Sequence, residues 1–448
     1  MTIKTERNLR YFSCALFSVF VISILSVGLI VLKDVTQSGF WGYVAFTVTT
    51  AVLTVIFAPT PEKCAFRLFL LVSIPYAGIV INILLMLKRK RRNASDSPKV
   101  RLWTDKRQFI KEGKEAVTYF SEGKEYFSDL ISELQRAKEE VLIFSYIFTF
   151  GKASTLLFNE LFPLLYKGVK VTIGVDYFGS GNILKSETIK TLKKAGLGVI
   201  IKNKPFLFLG IGDNRRTHAK TVIIDKKTVY LSSANIDDKS IFKDVNCSVK
   251  IKGNVSEIYN EYRSLFNAPL IAEKKTETCF PLLSEGDIKK DDLYVDFILK
   301  AESEIKIVTP YLSFDAELKK AIIRKLSRGV KITLIIPSPV FPSKADPVTE
   351  YYARTLQSLG VNVFYEDGEF LHSKMIIIDG YFAVIGSNNF DLRSGYATET
   401  MLLTVDNGLI APLLNNFDGL MRNAKILKPK KRQGKLMGKV YSVIAPLI

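Results

Sequence analysis

Histidine is almost missing from this chain of 448 residues, which contains two. A conventional histidine-based metal site would have to borrow one of that pair. Cysteine is scarce as well: Cys14, Cys64, Cys247 and Cys279 show no paired spacing. This argues against both a disulfide framework and a zinc site. No metal and no cofactor is expected. Negative charge is in deficit, with 44 Asp+Glu against 63 Lys+Arg and a formal net charge of +19. Such an excess suits polyanionic partners, either nucleic acid or an anionic membrane surface.

Charge of either sign is absent from three stretches, Tyr11–Leu32, Val35–Pro61 and Leu68–Leu87. Each is near or above the ~20 residues that cross a bilayer as a helix. They are apolar all round, unlike the amphipathic helices of soluble proteins. The first is too long for a signal-peptide core. Residues 1–92 therefore read as a membrane anchor of two or three hydrophobic helices in a multi-pass protein of the cell membrane. Pro75 and Gly78 make the third segment a candidate for a kinked or partly inserted helix. The basic flanks conflict over topology. Lys4, Arg7 and Arg10 precede the first segment, and Lys88-Arg89-Lys90-Arg91-Arg92 follows the third. Three crossings cannot leave both on one side. The five consecutive basic residues favour a cytoplasmic catalytic region.

Residues 93–107 form a basic linker. After it, apolar runs alternate with helical stretches, the pattern of α/β architecture. Strands are expected at Val141–Phe148, Val169–Asp176 and Val199–Lys202, with helices at Phe127–Lys138, Leu156–Tyr166 and Ser186–Lys194. The order then repeats. Strands fall at Ile305–Leu312, Val330–Ile336 and Val361–Tyr365, and helices at Leu293–Ala301, Ala316–Leu326 and Val348–Leu359. The spacing predicts one domain over 108–270 and a second over 271–448, the latter with a basic tail. The first half has extra residues in or near the apolar run Pro205–Gly212. A cover over a site and a tolerated surface insertion are both open readings of that run.

Both histidines sit in the same pattern. One reads His218-Ala-Lys220-Thr-Val-Ile-Ile-Asp225, the other His372-Ser-Lys374-Met-Ile-Ile-Ile-Asp379. Ser233 and Asn235 follow the first, Ser387 and Asn389 the second. With each charged residue type at about 6% usage, chance Lys and Asp at both places has odds on the order of one in 10⁵. Two halves building one active site is the better account. On a strand, residues two apart point the same way, so each motif offers an imidazole beside an ammonium. The apolar runs Val222–Ile224 and Ile376–Ile378 can be buried on both faces.

That set suits a phosphodiester. Lys220, Lys374, Asn235 and Asn389, with Ser233 and Ser387, are candidate donors to the non-bridging oxygens. One histidine can attack phosphorus while the other handles the proton. The candidate catalytic set is His218, Lys220, Asp225, His372, Lys374 and Asp379. Residue chemistry alone leaves open which histidine is the nucleophile.

The two HxKxxxxD motifs with their Ser/Asn tails resemble those of the phospholipase D superfamily, and within it the bacterial cardiolipin synthases. Further matching pieces are Pro75-Tyr-Ala-Gly78, Asn214-Arg-Arg-Thr-His218, Thr309-Pro-Tyr311, Asn389-Phe-Asp391-Leu-Arg393-Ser394 and the ending Ser442-Val-Ile-Ala-Pro-Leu-Ile448. The resemblance implies two pseudo-symmetric phospholipase D-type α/β domains sharing one active site behind the N-terminal transmembrane helices. It implies a reaction joining two phosphatidylglycerol molecules into cardiolipin and glycerol through a phosphohistidine, with His218 as nucleophile and His372 as general acid and base. Phosphatidylglycerol and anionic membrane lipid are the implied partners, and nucleic acid is not expected. Four features depart from the family's usual pattern. Ala219 stands where the family commonly has Arg, and Ser232 where its turn commonly starts with Gly. Lys239 answers Arg393, and Glu399 is an acidic residue at unusual spacing. Glu399 could orient an imidazole or be a surface carboxylate. The basic tail, Lys425 to Lys439, could meet lipid headgroups or solvent, and the anchor favours lipid. A membrane-bound hydrolase, a transferase acting on another phospholipid and a non-catalytic scaffold are the competing readings. Two intact motifs weigh against the scaffold.

Overall fold

The computed structural model describes residue 48, residues 116–203, 216–253, 255, 258–260, 262, 280–284, 290–338, 346–392, 394 and 397–428. The three apolar runs apart from Val48, the 204–215 insertion, Arg393 and the tail beyond 428 lie outside the described residues. No helix among the described residues is long and apolar enough to cross a membrane. Residues 99–432 form one compact unit.

The expected alternation is present. In the first half β1 (Ala116–Glu122), α1 (Gly123–Leu134), β2 (Glu140–Ser145), α2 (Lys152–Tyr166), β3 (Lys170–Asp176), the short α3 (Tyr177–Ser180), α4 (Glu187–Lys194) and β4 (Gly198–Lys202) lead to the first motif. Then come β5 (Thr221–Ile224), β6 (Thr228–Ser232), α5 (Asp238–Phe242) and β7 (Val245–Lys252). The second half runs β8 (Phe280–Ser284), α6 (Lys290–Lys300), β9 (Glu304–Val308), α7 (Ala316–Leu326), β10 (Lys331–Pro337), α8 (Asp346–Ser358) and β11 (Asn362–Glu366). It closes with β12 (Met375–Ile378), β13 (Phe382–Gly386), β14 (Glu399–Thr404), α9 (Asn407–Asn423) and β15 (Ala424–Ile426).

The sheets have the same order. The first is β1-β7-β6-β5-β2-β3-β4, and the second is β15-β11-β10-β9-β12-β13-β14-β8. Read from opposite ends they match strand for strand, with β15 added at one edge. β2, β3 and β4 pair in parallel, as do β9, β10 and β11, through helical crossovers. The motif strands β5 and β12 join the middle antiparallel, against β2 and β9. Their Val-Ile-Ile and Met-Ile-Ile-Ile side chains are fully buried. Each such side chain contributes about 1.5–3 kcal/mol of hydrophobic stabilisation, so the motif strands are rigid platforms.

Two expected strands stop early for local reasons. β2 ends at Ser145, whose hydroxyl bonds Ile147 O at 2.6 Å, and Phe148 N turns to Ser180 Oγ at 2.9 Å. β9 ends before Thr309-Pro310, where the threonine hydroxyl bonds Tyr311 O at 2.8 Å. Proline offers no N–H to extend a ladder. The sequence pattern gives no strand at β1, β6, β7, β8, β13, β14 or β15; β1 pairs with β7 and β8 with β14 at the sheet edges.

Candidate active site

The two halves meet through main-chain bonds at the histidines themselves. Thr217 bridges Thr398, and Val245 bridges Leu371. His218 N donates to Thr398 O at 2.8 Å, and His372 N donates to Val245 O at 2.8 Å. Each histidine backbone is thus held by the segment that opens a strand of the other half, β14 for His218 and β7 for His372. The residues following those contacts are Glu399 and Asn246, and both reach the imidazole beside them.

His218 Nδ1 lies 3.0 Å and 3.1 Å from the two carboxylate oxygens of Glu399. Glu399 is 1% exposed and also accepts the Ser387 hydroxyl at 2.5 Å. The surface-carboxylate reading of Glu399 is therefore wrong. In the mirrored position His372 Nδ1 lies 3.1 Å from Asn246 Oδ1, which also accepts the Ser233 hydroxyl at 2.8 Å. Sequence reasoning missed Asn246. The signal in the chain was weak: Asn246 stands 13 residues beyond Ser233 and Glu399 stands 12 beyond Ser387.

Both lysines fold back on their own motif. Lys220 Nζ donates to His218 O at 2.7 Å, and Lys374 Nζ donates to His372 O. Each is about 2% exposed. The lysines do not sit within the strands, which begin at Thr221 and Met375. Asn235 Oδ1 accepts Ile147 N at 3.2 Å, which fixes the loop carrying Tyr146. The Tyr146 ring centroid lies 4.9 Å from that of His218. Asn389 is buried, and its Oδ1 has no hydrogen-bond partner among the described residues.

Two groups of expected site residues have other tasks. Ser233 and Ser387, proposed from the sequence as phosphate donors, are fully buried. Their hydroxyls go to Asn246 and Glu399, and they accept the N–H groups of Cys247 and Thr400. They brace the groups behind the imidazoles. Asp225 and Asp379, grouped with the catalytic residues, lie at the opposite ends of the motif strands. Asp225 accepts N–H groups of Lys138, Glu139 and Glu140 at 2.8–3.0 Å. Asp379 accepts those of Glu302, Ser303 and Glu304 at 2.8–2.9 Å. Both have left-handed backbones, with φ of 52° and 54°, each followed by a second left-handed residue. That is the signature of a type I′ hairpin, which Asp tolerates. The aspartate of each motif turns the hairpin and caps the neighbouring strand.

Ser232 and Gly386 occupy equivalent turn positions. Gly386 has φ of 152°, and a Cβ there would lie 2.1 Å from Thr400 O. In the first half Ser232 is accommodated, its hydroxyl 2.7 Å from that of Ser248.

Burial dominates the electrostatics. It pulls the His218 pKa down to about 4 even though Glu399 favours the charged ring. His372 falls well below 6.5 through burial, then through the charges of Lys374, Lys220, His218 and Lys239. Burial brings Lys220 down to about 7 against the pull of Glu399 and Asp237, and lowers Lys374 strongly. It raises Asp244 to about 6, opposed by Lys239, whose ammonium lies 3.2 Å away. A phosphodiester anion would reverse much of this, because it stabilises every cationic form around it. Among the described residues no group of three His, Cys, Asp or Glu side chains is assembled for a metal ion.

The chain is similar to known proteins over this whole region. A family model described as "Cardiolipin synthase, PLD-like domain" matches residues 130–269 and again 294–421. The probable cardiolipin synthase YwiE of Bacillus subtilis is 24% identical over 344 residues, 70% of this chain and 68% of that protein. The minor cardiolipin synthase ClsB of the same organism is 25% identical over 303 residues, 64% of this chain and 76% of that one. Among solved structures, a phosphatidylserine synthase of Haemophilus influenzae shares the fold with a TM-score of 0.59 at 15% identity, over 74% of this chain and 95% of that one. Two matched domains, each supplying one histidine motif to a common centre, place this chain in the phospholipase D superfamily, among proteins with cardiolipin synthase-type domains.

Proposed function

We propose that this protein is a membrane-bound cardiolipin synthase that transfers a phosphatidyl group from one phosphatidylglycerol to another. The observation that carries the reading is the pair of imidazoles, each backed by the other half and each beside an ammonium. His218 Nε2 attacks phosphorus, forming the N–P bond as the P–O bond to glycerol breaks. His372 gives its Nε2 proton to the departing glycerol oxygen. The terminal hydroxyl of the second phosphatidylglycerol then attacks phosphorus, returning its proton to His372 as the N–P bond breaks. Lys220 and Lys374 offset the charge gathering on the non-bridging oxygens. A ring phosphorylated on Nε2 that keeps its Nδ1–H is cationic, and the Glu399 carboxylate balances it. This supports His218 as the nucleophile. The relatives' names support the lipid class, and the apolar N-terminal runs support action at a membrane.

The test is the full-length protein in liposomes of phosphatidylglycerol, with cardiolipin and free glycerol followed together. Equal release of both, lost in His218→Ala and in His372→Ala, is the expected result. Phosphatidic acid with glycerol and no cardiolipin would mean that water is the acceptor and the protein a hydrolase.

A further inference from the structure

The two imidazoles share a geometry but differ in the charge of the group behind them. Asn246 is 1% exposed and its amide is fully committed. Its Nδ2 donates to Ser240 O at 2.7 Å and to Asp244 O at 3.1 Å. Turning the amide over would set Nδ2 against the imidazole and Oδ1 against two carbonyls. Oδ1 is therefore an acceptor, and His372 must carry its proton on Nδ1 in the neutral state. Its Nε2 lone pair is left as the reactive position. The same holds for His218 opposite Glu399, an acceptor with no hydrogen to give when ionised. The difference is one full negative charge.

We propose that Asn246 is a positioning residue that divides the work between the two histidines, keeping His372 a readily discharged proton carrier and leaving the covalent step to carboxylate-backed His218. The proposal rests on the two-histidine phosphodiester reading. An imidazolium at His372 finds an amide dipole where His218 finds a carboxylate. The charged groups acting on it are Lys374 from its own motif, Lys220 and His218 from the first motif, and Lys239 from α5. Its ring lies 6.0 Å from the Phe370 ring. The carboxylates of the neighbourhood are engaged elsewhere: Asp244 with Lys239, and Glu399 with His218 and Ser387. A cationic His372 is thus a strong acid, suited to giving its proton to the leaving glycerol oxygen. It is poorly suited to holding the lasting positive charge of a phosphorylated ring. A carboxylate behind it would remove that distinction.

The chain contains only two histidines, so the ring signals of isotope-labelled histidine can be assigned with a single His218→Ala or His372→Ala variant. NMR titration of the full-length protein in detergent reads each pKa without any substrate. The expected result is an Nδ1–H tautomer at both sites and a lower pKa for His372 than for His218. Asn246→Asp should then raise the His372 pKa by about one unit or more and leave His218 within a few tenths. The acid-dependent limb of turnover should move up in pH with it. A wild-type His372 pKa at or above that of His218 overturns the proposal, and needs only one of the two alanine variants for assignment, not a folded Asn246→Asp protein. So does an Asn246→Asp protein whose His218 signal is native but whose His372 pKa and pH profile are unmoved. Failure of phosphatidylglycerol turnover would count against the lipid assignment and leave these titrations standing.

Discussion

The two halves of the 99–432 unit agree in nearly everything the backbone does. Sheet order, parallel and antiparallel pairing, the hairpin after each motif and the main-chain bond at each histidine all repeat. They part where the imidazoles are backed, by Glu399 in one case and Asn246 in the other. A duplicated scaffold therefore delivers two equal geometries and two unequal electrostatic fields. In the proposed displacement at phosphorus that inequality matches a division of roles, with one group bonded through the intermediate while the other exchanges a proton twice.

The largest test of the comparison removes each histidine against two leaving groups. With phosphatidylglycerol, His218→Ala and His372→Ala should each cost at least 10³-fold in turnover, since nucleophile and acid act as a unit. With a p-nitrophenyl phosphodiester the leaving group needs no proton. His372→Ala should then recover about 10²-fold or more in the release step, and His218→Ala should recover nothing. Equal recovery in both would show that the roles are not divided.

Next in size is Glu399→Gln, which makes the two backings alike. Losing a charged hydrogen bond of about 1.5–3 kcal/mol should lower kcat by about 10- to 150-fold. Rapid-quench trapping should show less phosphohistidine at the same fold content. Undiminished trapping would mean that the carboxylate does not support the covalent state.

Much of this arrangement was legible in the chain. The repeated strand–helix order, the motif pair and the buried motif strands follow from periodicity and spacing, and all three appear. What escaped was long-range. Asn246 reaches the histidine of the opposite half 126 residues away, and Glu399, already weighed as a group that orients an imidazole, reaches its own over 181 residues; no local pattern tells which histidine each one meets. Ser233 and Ser387 were grouped with the phosphate donors as part of the Ser/Asn tail of each motif; both are buried. Asp225 and Asp379 were grouped with the chemistry by their motif, although a four-residue strand carries them to the far end.

That far end supplies a stability test to set against the catalytic ones. Asp225→Ala or Asp379→Ala leaves three backbone N–H groups without their acceptor. A loss of about 1–3 kcal/mol is expected, seen as a lower Tm with kcat/KM per folded molecule retained. Burial works against the Asp379 charge, but the N–H groups of Glu304, Glu302 and Ser303 outweigh it and hold its pKa below 3.8. Its contribution is present above that value and is lost as pH falls through the lower folded pKa. Asp379→Asn should therefore lose part of the acid-dependent fall in stability below about pH 4. A large drop in kcat at unchanged Tm would return the aspartates to the reacting centre.

The smallest expected effect separates the ammoniums from the imidazoles. Lys220 titrates at about 7 because burial disfavours its charge, with Glu399 and Asp237 opposing. Its protonated form is the one that attracts a phosphodiester, so KM should rise with pH above about 7, by at most about tenfold per unit for one proton. A bound anion raises the lysine's pKa, so kcat should keep its plateau to higher pH than kcat/KM. Lys220→Met retains a similar length without the charge. Its KM should start near the alkaline wild-type value and lose this pH dependence between pH 6 and 8. A variant that keeps the wild-type slope would place the titrating group elsewhere, with Lys374 the next to replace, since it stands in the mirrored position behind His372.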